Sequence, residues 1–506
     1  MKQSSSLAQF ITGTLFTGAG KFMVMVLGIF GLAITTRILT PAEVGLYVLL
    51  LAIVIFLSEI SSIGLNFAIP KFLPGIEDED EERLTINTIL IFRLFTIVVI
   101  SVVAFLIAKP LFTLFSATVP ATTELLIYIS VLVALESIGK LLIAILQGHF
   151  KFKTIGLTNT ISSMVNFGGI LLFVLYFQLG LVGLILAKLA SRVIAYGYAL
   201  LSANLDLRLE LDVPILKKLL IFGFPLQINY IMSFIFQRMD VFLIATFLGP
   251  LQVGLYEIAR RIPDSLAEAY EAFVQVFFPF LSKFSETGEN DELTQMLNVS
   301  LRWLVFTLLT GAMIAFTFGT EIITLLFSDQ YTESGMVFGI VMVSFTIVVL
   351  DSTQGYTLIA VGKASKIPQI NFVRTLISFV GYFLLIPPLG IVGAAMAGPI
   401  AMAMVNPAVV WFLRRSNVAV DYRGYLVSFA IFFTLLACYF GFDMNSILER
   451  ILLTISFVVA NIMLSVVTWD EIRYGITEGY ALIERTLAKR HEKNKRTPIS
   501  NTVDGA

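Results

Sequence analysis

Long apolar runs separated by short polar connections extend over most of the chain. A helix needs about 20 apolar residues to cross the hydrocarbon core of a bilayer. Fourteen runs meet this length, centred near residues 27, 54, 97, 134, 168, 190, 233, 266, 312, 346, 377, 401, 432 and 458. The run near residue 266 is the least apolar. This pattern predicts an all-α polytopic membrane protein with about 14 transmembrane helices.

Two short motifs occur twice at almost the same separation. Leu39–Tyr47 reads LTPAEVGLY and Leu248–Tyr256 reads LGPLQVGLY, 209 positions further on. In a different segment, LGLVG at Leu179–Gly183 returns as LGIVG at Leu389–Gly393, 210 positions further on. Two motifs with one offset indicate two related halves. Because duplicated membrane bundles with a central site are the usual architecture of transporters, the repeat favours transport.

The repeat also predicts the domain organisation. Six spans in each half give both halves the same orientation, so we expect two parallel six-helix bundles related by a pseudo-twofold axis along the membrane normal. Two further helices follow them. The predicted domains are residues 1–203 as the N-terminal bundle, 204–218 as a cytosolic linker, 219–416 as the C-terminal bundle, 417–468 as transmembrane helices 13 and 14, and 469–506 as a cytosolic amphipathic and basic tail.

Composition and charge support a membrane location. Hydrophobic residues make up 57% of the chain and charged residues 14%, against about 25% charged in soluble proteins. Basic residues concentrate in the connections on one side, while the other side holds only Lys109 and Arg450. The positive-inside rule therefore predicts a multi-pass protein of the plasma (inner) membrane with both termini in the cytosol. No global basic surface for nucleic acid is present.

Several charged residues lie within the predicted spans. A charge at bilayer depth costs about 2.5–3.5 kcal/mol, so it is normally paired or faces a wet cavity. The densest set lies on span 8, where successive members are three or four residues apart and so form one stripe of a helix. It contains Glu257, Arg261, Asp264, Glu268, Glu271 and Gln275. We interpret the stripe as the lining of a cavity, with an ion-pair seam to a neighbouring helix as the alternative.

Spans 4, 6 and 7 carry further charges. Glu136 and Lys140 on span 4 are four residues apart, so we expect them to neutralise each other. Lys188 and Arg192 on span 6 repel each other unless an anion or a carboxylate lies between them, which makes both candidates for an anion site. Span 7 contributes Arg238 and Asp240, and each requires a partner elsewhere because the two cannot share a helix face.

Motifs for catalysis are missing. The chain has no GxxxxGK[ST] phosphate loop, its two histidines, His149 and His491, lie in cytosolic segments, and the outer connections are short. Its one cysteine, Cys438, excludes an internal disulfide and a cysteine-based metal cluster. We therefore expect a protein that is not an enzyme and needs no cofactor, with a coupling proton or sodium ion left open.

The junctions between spans carry a family resemblance. TTRILTPAEVGLY after span 1, RMDVFLIATFLGPLQVGLYEIARRI across spans 7 and 8, and the LGLVG and LGIVG turns resemble the polysaccharide biosynthesis flippases of O-antigen and teichoic acid exporter type. These flippases belong to the multidrug/oligosaccharidyl-lipid/polysaccharide exporter superfamily. The resemblance covers residues from about 7 to 470.

The resemblance implies a function and a set of site residues. A polyprenyl-linked, pyrophosphate-bearing oligosaccharide would move from the cytosolic to the outer leaflet by alternating access. Cationic cavity residues would bind the pyrophosphate; the positions that match are Lys21, Arg238, and Arg260 or Arg261. Asp240 matches a frequent acidic position. The mostly acidic stripe on span 8 departs from this pattern, because it suits a proton, a sodium ion or a cationic drug better than a pyrophosphate.

Three hypotheses for function follow. The first is a flippase for a lipid-linked oligosaccharide that serves cell-surface glycan assembly, with the bilayer, the glycan lipid and glycan-assembly enzymes as partners. The second is a cation-coupled multidrug exporter of the same superfamily, favoured by the span 8 carboxylates. The third is a non-transporting membrane scaffold that recruits glycan-assembly enzymes through its tail.

Overall fold

The computed structural model of the protein describes residues 24–115, 123–444, 446–464 and 466. All regular secondary structure in these ranges is helical. Nine of the described stretches are long and apolar enough to cross a membrane, and the stretch Ser334–Arg414 is long enough for more than one crossing. The predicted all-α polytopic fold is thereby confirmed.

Fourteen helices make up the described chain. They are α1 (Val24–Ile38), α2 (Pro41–Ile60), α3 (Leu65–Phe72), α4 (Glu79–Phe115), α5 (Thr123–Gly148), α6 (Phe152–Gly169), α7 (Gly180–Ala203), α8 (Val213–Leu248), α9 (Pro250–Thr287), α10 (Asn290–Leu326), α11 (Ser334–Leu358), α12 (Ile367–Arg414), α13 (Tyr422–Gly441) and α14 (Ile447–Met463). Each predicted span centre falls in a helix or its direct continuation. The number of helices equals the number of predicted spans, although the two sets differ. Helix α3 is too short to cross the membrane and adds one helix, while α12 contains both spans 11 and 12 and removes one.

Local sequence signals define where several helices begin. Thr40 precedes α2 and forms a capping box, in which the backbone N–H of Thr40 donates to Glu43 Oε2 at 2.9 Å. Pro41 occupies the first turn, where its missing N–H costs no hydrogen bond. Asp212 caps α8 in a similar way, accepting from the backbone N–H of Ile215 at 2.8 Å. These caps satisfy N–H groups that have no partner within the helix.

Helix α2 is separated from α3 by a tight turn at Ser61–Gly64. Gly64 adopts a positive φ of 89° and lies directly against Gly223 of α8. A Cβ on Gly64 would approach the carbonyl carbon of Gly223 to 2.1 Å. Only a glycine combines this backbone conformation with such a close approach, so the turn brings α3 against α8.

The first repeated motif forms a reciprocal contact between α2 and α9. A Cβ on Gly45 would lie 1.8 Å from the carbonyl oxygen of Pro250, and a Cβ on Gly254 would lie 1.9 Å from that of Pro41. The same two positions of the motif, proline and glycine, therefore supply both sides of the contact. Such an exchange is expected when two related segments pack about a local twofold axis.

The second repeated motif also adopts one conformation in both copies. Gly180 and Gly390 have positive φ angles of 55° and 59°. About two turns further along each helix, Ala187 packs against Gly169 and Ala397 packs against Gly381. The structure therefore agrees with the duplication that the sequence indicates. Gly390 interrupts α12 with a non-helical backbone, which separates spans 11 and 12.

The described chain divides into two compact units. The first contains the described residues up to Phe273, Phe318–Phe345 and Pro368–Val405. In it, α7 packs against α5 and α6, and α2 packs against α5 and α8. The second contains Val274–Thr317, Thr346–Ile367 and the described residues from Asn406 onward, including the packed pair α13 and α14. The predicted domain boundaries stay a prediction, and the whole predicted tail, 469–506, lies outside the described residues.

Candidate functional site

A cavity of about 590 Å³ lies within the first unit, between α1, α2, α6, α7 and α9. Its walls are mixed, with apolar side chains from α1 and α2 and polar ones from the other three helices. The polar and charged lining residues beyond α1 and α2 are Asn159, Ser162, Ser163, Asn166, Lys188, Arg192, Glu257, Arg261, Glu268 and Glu271. Polar side chains at membrane depth normally face the bundle interior or a wet cavity, as these do.

The predicted stripe of α9 supplies one wall of this cavity through Glu257, Arg261, Glu268 and Glu271. Glu257 Oε2 and Arg261 Nε are buried and have no hydrogen-bond partner among the described residues. The Arg261 guanidinium lies close to Gly28 of α1, where an added Cβ would come within 2.7 Å of Nη2. Buried polar atoms are usually hydrogen-bonded, so this wall is suited to a polar ligand.

Helix α7 supplies the second charged wall. Arg192 Nε pairs with Glu136 Oε1 at 2.6 Å, and Arg192 Nη1 donates to Ser162 Oγ at 2.9 Å. Tyr196 donates to the other oxygen of Glu136 at 3.0 Å. Glu136 is thus the carboxylate that pairs with Arg192 of α7. Lys188 lines the cavity and makes no ion pair or side-chain hydrogen bond in the part of the chain that the structure describes.

The prediction that Glu136 and Lys140 neutralise each other is wrong. Lys140 Nζ pairs with Glu59 Oε1 of α2 at 2.6 Å and donates to Ser58 Oγ at 2.7 Å. Glu136 pairs with α7 instead. Both residues lie in a packed bundle, where neighbouring helices place an oppositely charged group 2.6 Å from each of them. The i, i+4 spacing alone is worth only about 0.2–0.5 kcal/mol on a helix surface, so interhelical pairing prevails.

Arg260 and Asp240 form a separate cluster that does not line the cavity. Arg260 Nη1 pairs with Asp240 Oδ2 at 2.7 Å, and its Nε pairs with Asp264 Oδ2 at 3.1 Å. Tyr256 also donates to Asp240 Oδ2, at 3.2 Å. Because two carboxylates already surround the Arg260 guanidinium, Arg261 is the better of the two adjacent arginines for binding an anion.

Two further predicted cations are not brought to the cavity. Arg238 is partly buried on α8 but is absent from the cavity wall. Lys21 lies outside the described residues. Of the six predicted substrate-binding cations, the structure therefore places Lys188, Arg192 and Arg261 around one cavity.

Sequence reasoning missed the polar side chains of α6. Asn159, Ser163 and Asn166 line the cavity, and so does Tyr47 of α2. The signal was available, because the three α6 residues are spaced by four and three positions inside an apolar span, as on α9. The prediction considered only residues with a formal charge and therefore did not include this neutral stripe.

The arrangement defines a membrane protein with a cavity that is lined by cations, carboxylates and amides. No group of three or more potential metal ligands occurs within the described ranges. Residues 34–336 match the family "Polysaccharide biosynthesis protein". The chain belongs to this family.

The chain is also similar to a named relative and to solved structures. The chain is 22% identical over 278 residues to "Probable low-salt glycan biosynthesis flippase Agl15" of Haloferax volcanii, which covers 55% of this chain and 58% of that protein. It resembles the lipid II flippase MurJ in an inward closed conformation, with a TM-score of 0.69, 16% identity and coverage of 88% of this chain and 98% of MurJ.

A multidrug resistance MATE family transporter in an inward-facing conformation gives a TM-score of 0.60 at 17% identity, over 78% of this chain and 94% of that one. At these identities, the structural likenesses establish the fold. These relatives and neighbours are themselves named as flippases and a transporter.

Proposed function

We propose that this protein is a flippase that moves a polyprenyl-(pyro)phosphate-linked oligosaccharide from the cytosolic to the outer leaflet for cell-surface glycan assembly. The observation that carries the proposal is the cavity in which Lys188 and Arg261 face a shared polar volume within the membrane-spanning region. A glycan lipid combines an anionic linkage with neutral hydroxyl groups, and this cavity offers groups suited to both. Family membership supports the same substrate class.

The charged residues have different parts in this proposal. Lys188 and Arg261 bind the phosphate oxygens, because neither has an ion pair within the described ranges. Arg192 is held in place by Glu136 and Ser162. It therefore forms part of the cavity wall and contributes a positive electrostatic potential to the site. Lys21 and Arg238 stay candidates for binding the substrate in other steps of the transport cycle.

Alternating access requires that one end of the cavity closes while the other opens. With both termini in the cytosol of a plasma membrane protein, α2 and α9 begin at the outer surface. Their reciprocal contact at Gly45 and Gly254 then closes the outer side. We propose that this contact separates when the glycan is released outward. A Cβ added to Gly45 would lie 1.8 Å from the carbonyl oxygen of Pro250, so the closed contact leaves no space for a side chain between the helices.

The experiment that tests the proposal is the sidedness of labelled lipid-linked oligosaccharide in cells that carry different variants. Removing the protein should make the glycan lipid accumulate in the cytosolic leaflet. Lys188→Ala combined with Arg261→Ala should reproduce this accumulation while the protein remains in the membrane. Lys217→Ala, at an exposed lysine that is not part of the cavity lining, is the matched control. Unchanged sidedness without the protein would refute the proposal.

Export of cationic drugs is the second candidate, because Glu268 and Glu271 also line the cavity. Under this alternative, Glu268→Gln would sensitise cells to cationic drugs and leave glycan sidedness unchanged. A coupling proton or sodium ion would be bound by one of Asp240, Glu257, Asp264, Glu268 and Glu271. Transport is measured across an imposed proton gradient and an imposed sodium gradient, with each of these carboxylates replaced by Asn or Gln. The gradient whose effect is lost in a variant identifies the coupling ion. Glycan-assembly enzymes are proposed partners.

A further inference from the structure

Helix α6 presents a neutral polar surface to the cavity, which we name the amide face and define as Asn159, Ser163 and Asn166. We infer that the amide face is the subsite that binds the hydroxyl and acetamido groups of the first sugar of the substrate. This inference rests on the proposed flippase function. All three residues line the cavity, and their spacing of four and three positions places them on one side of the helix.

The amide face differs from the other polar residues of α6 in its hydrogen bonds. Thr158 Oγ1 donates to the carbonyl oxygen of Thr154 at 2.8 Å, and Thr160 Oγ1 donates to that of Gly156 at 2.9 Å. Ser162 Oγ accepts from Arg192. The hydroxyl groups of these residues are therefore satisfied by the protein itself, as is usual for Ser and Thr in helices.

The amide face includes a buried side-chain atom that the described protein does not satisfy. Asn166 Oδ1 is buried and has no hydrogen-bond partner in the described chain. An amide oxygen buried without a partner is costly, and a residue with no structural bond inside a membrane span is normally retained for a function. The unmet hydrogen-bonding capacity therefore belongs to a ligand that enters the cavity.

The chemistry of the amide face identifies the ligand class. An Asn side chain offers two donors and an acceptor, and a Ser hydroxyl offers one donor and two acceptors. Sugar hydroxyl and acetamido groups have the same mixed capacity, whereas a phosphate accepts only. Tyr47 supplies an aromatic ring in the same cavity, and aromatic rings combine an apolar surface with a polar end. Together they suit a pyranose ring.

The position of the amide face relative to the cations indicates which sugar it binds. Ser162, adjacent to Ser163, accepts from Arg192 at 2.9 Å. Lys188 lies four residues before Arg192 on α7, or about 6 Å along the axis at 1.5 Å per residue. The amide face and Lys188 thus line one cavity, with Arg192 bonded to Ser162 beside both. The sugar attached directly to the phosphate is the one in reach.

Binding of two defined lipids tests this inference. The purified protein in nanodiscs is titrated with a polyprenyl pyrophosphate and with the same lipid carrying one N-acetylglucosamine. The unmodified protein should bind the sugar-bearing lipid about tenfold more tightly, which corresponds to one or two net hydrogen bonds. Asn159→Ala combined with Asn166→Ala should abolish this preference and leave the affinity for the bare lipid unchanged.

Control variants separate the amide face from its surroundings. Thr160→Val, which removes a hydroxyl that bonds its own helix, should retain the preference for the sugar. Lys188→Ala should weaken binding of both lipids by a similar factor. Equal affinity of the unmodified protein for the two lipids, or a preference that persists in the double Asn variant, would overturn the inference alone. Failure of the unmodified protein to bind either lipid would overturn the proposed function as well.

Discussion

At the residue scale, Glu136 and Arg192 connect α5 to α7 beside the cavity. The Glu136 side chain is only 7% exposed and accepts from both Arg192 and Tyr196. A buried ion pair gains little over a well-packed apolar pair, but loss of one member leaves an uncompensated charge. The pair therefore matters more for orienting Arg192 than for net stability.

We predict that Glu136→Ala destabilises the protein by about 3–5 kcal/mol, because Arg192 would keep a buried charge without its carboxylate. Thermal unfolding of the purified protein in detergent measures this loss. The double variant Glu136→Leu, Arg192→Leu should recover most of the stability, since both charges are then absent. A double variant no more stable than Glu136→Ala would contradict this account.

A glycine also determines the position of one cationic side chain of the cavity. Gly28 leaves space for the Arg261 guanidinium, since an added Cβ would come within 2.7 Å of Nη2. We predict that Gly28→Val displaces Arg261 and weakens binding of a polyprenyl pyrophosphate by about tenfold, the cost of about one charge-assisted hydrogen bond. Equilibrium binding in nanodiscs provides the measurement. Unchanged affinity would show that Arg261 does not contact the phosphate.

At the scale of elements, the contact between α2 and α9 depends on two glycines at equivalent positions of the repeated motif. The hydrophobic effect does not drive helices together inside a bilayer, so their association depends on close packing. Small residues permit this close approach. Gly45 and Gly254 each lie against a carbonyl oxygen of the opposite helix. Any side chain at these positions pushes the helices apart.

We expect Gly45→Leu to prevent closure on the predicted outer side and to lower transport strongly. The sidedness assay for labelled glycan lipid reports transport, and crosslinking of cysteines placed on α2 and α9 reports the separation of the two helices. Gly197→Ala is the control, because a Cβ at Gly197 would meet no atom of another described helix within 4 Å. Normal transport by Gly45→Leu would exclude the contact as a gate.

At the scale of the whole molecule, the orientation in the membrane follows from the distribution of basic residues. It predicts that the linker containing Asp206 is cytosolic and that the connection before α11, which contains Glu333, is outside. Both residues are exposed. Cys438 is the only cysteine of the chain, so its replacement by serine leaves a background suited to labelling.

We predict that a membrane-impermeant maleimide labels intact cells carrying Cys438→Ser with Glu333→Cys, but not those carrying Cys438→Ser with Asp206→Cys. Both variants should react after the membrane is opened, which controls for expression and reactivity. Labelling of the Asp206→Cys variant in intact cells would reverse the proposed direction of access to the cavity.

The sequence by itself determined the helical class, the location of the spans, the duplication and the family. Each follows from short-range periodicity or from residue identity, because a bilayer requires long apolar helices whatever their neighbours are. The polar stripe of α9 was also visible, since residues three and four positions apart share a helix face in any context. The matching stripe of α6 was equally regular but lacked formal charge.

Only the tertiary structure decided which charges are paired and which face the cavity. Arg260 and Arg261 are adjacent in the sequence, yet the first is held by Asp240 and Asp264 while the second lines the cavity. Glu136 pairs with Arg192 across 56 residues in place of Lys140 four residues away. Partners of this kind depend on the packing of helices distant in sequence, and at low dielectric the nearest opposite charge in space prevails over the nearest one along the chain.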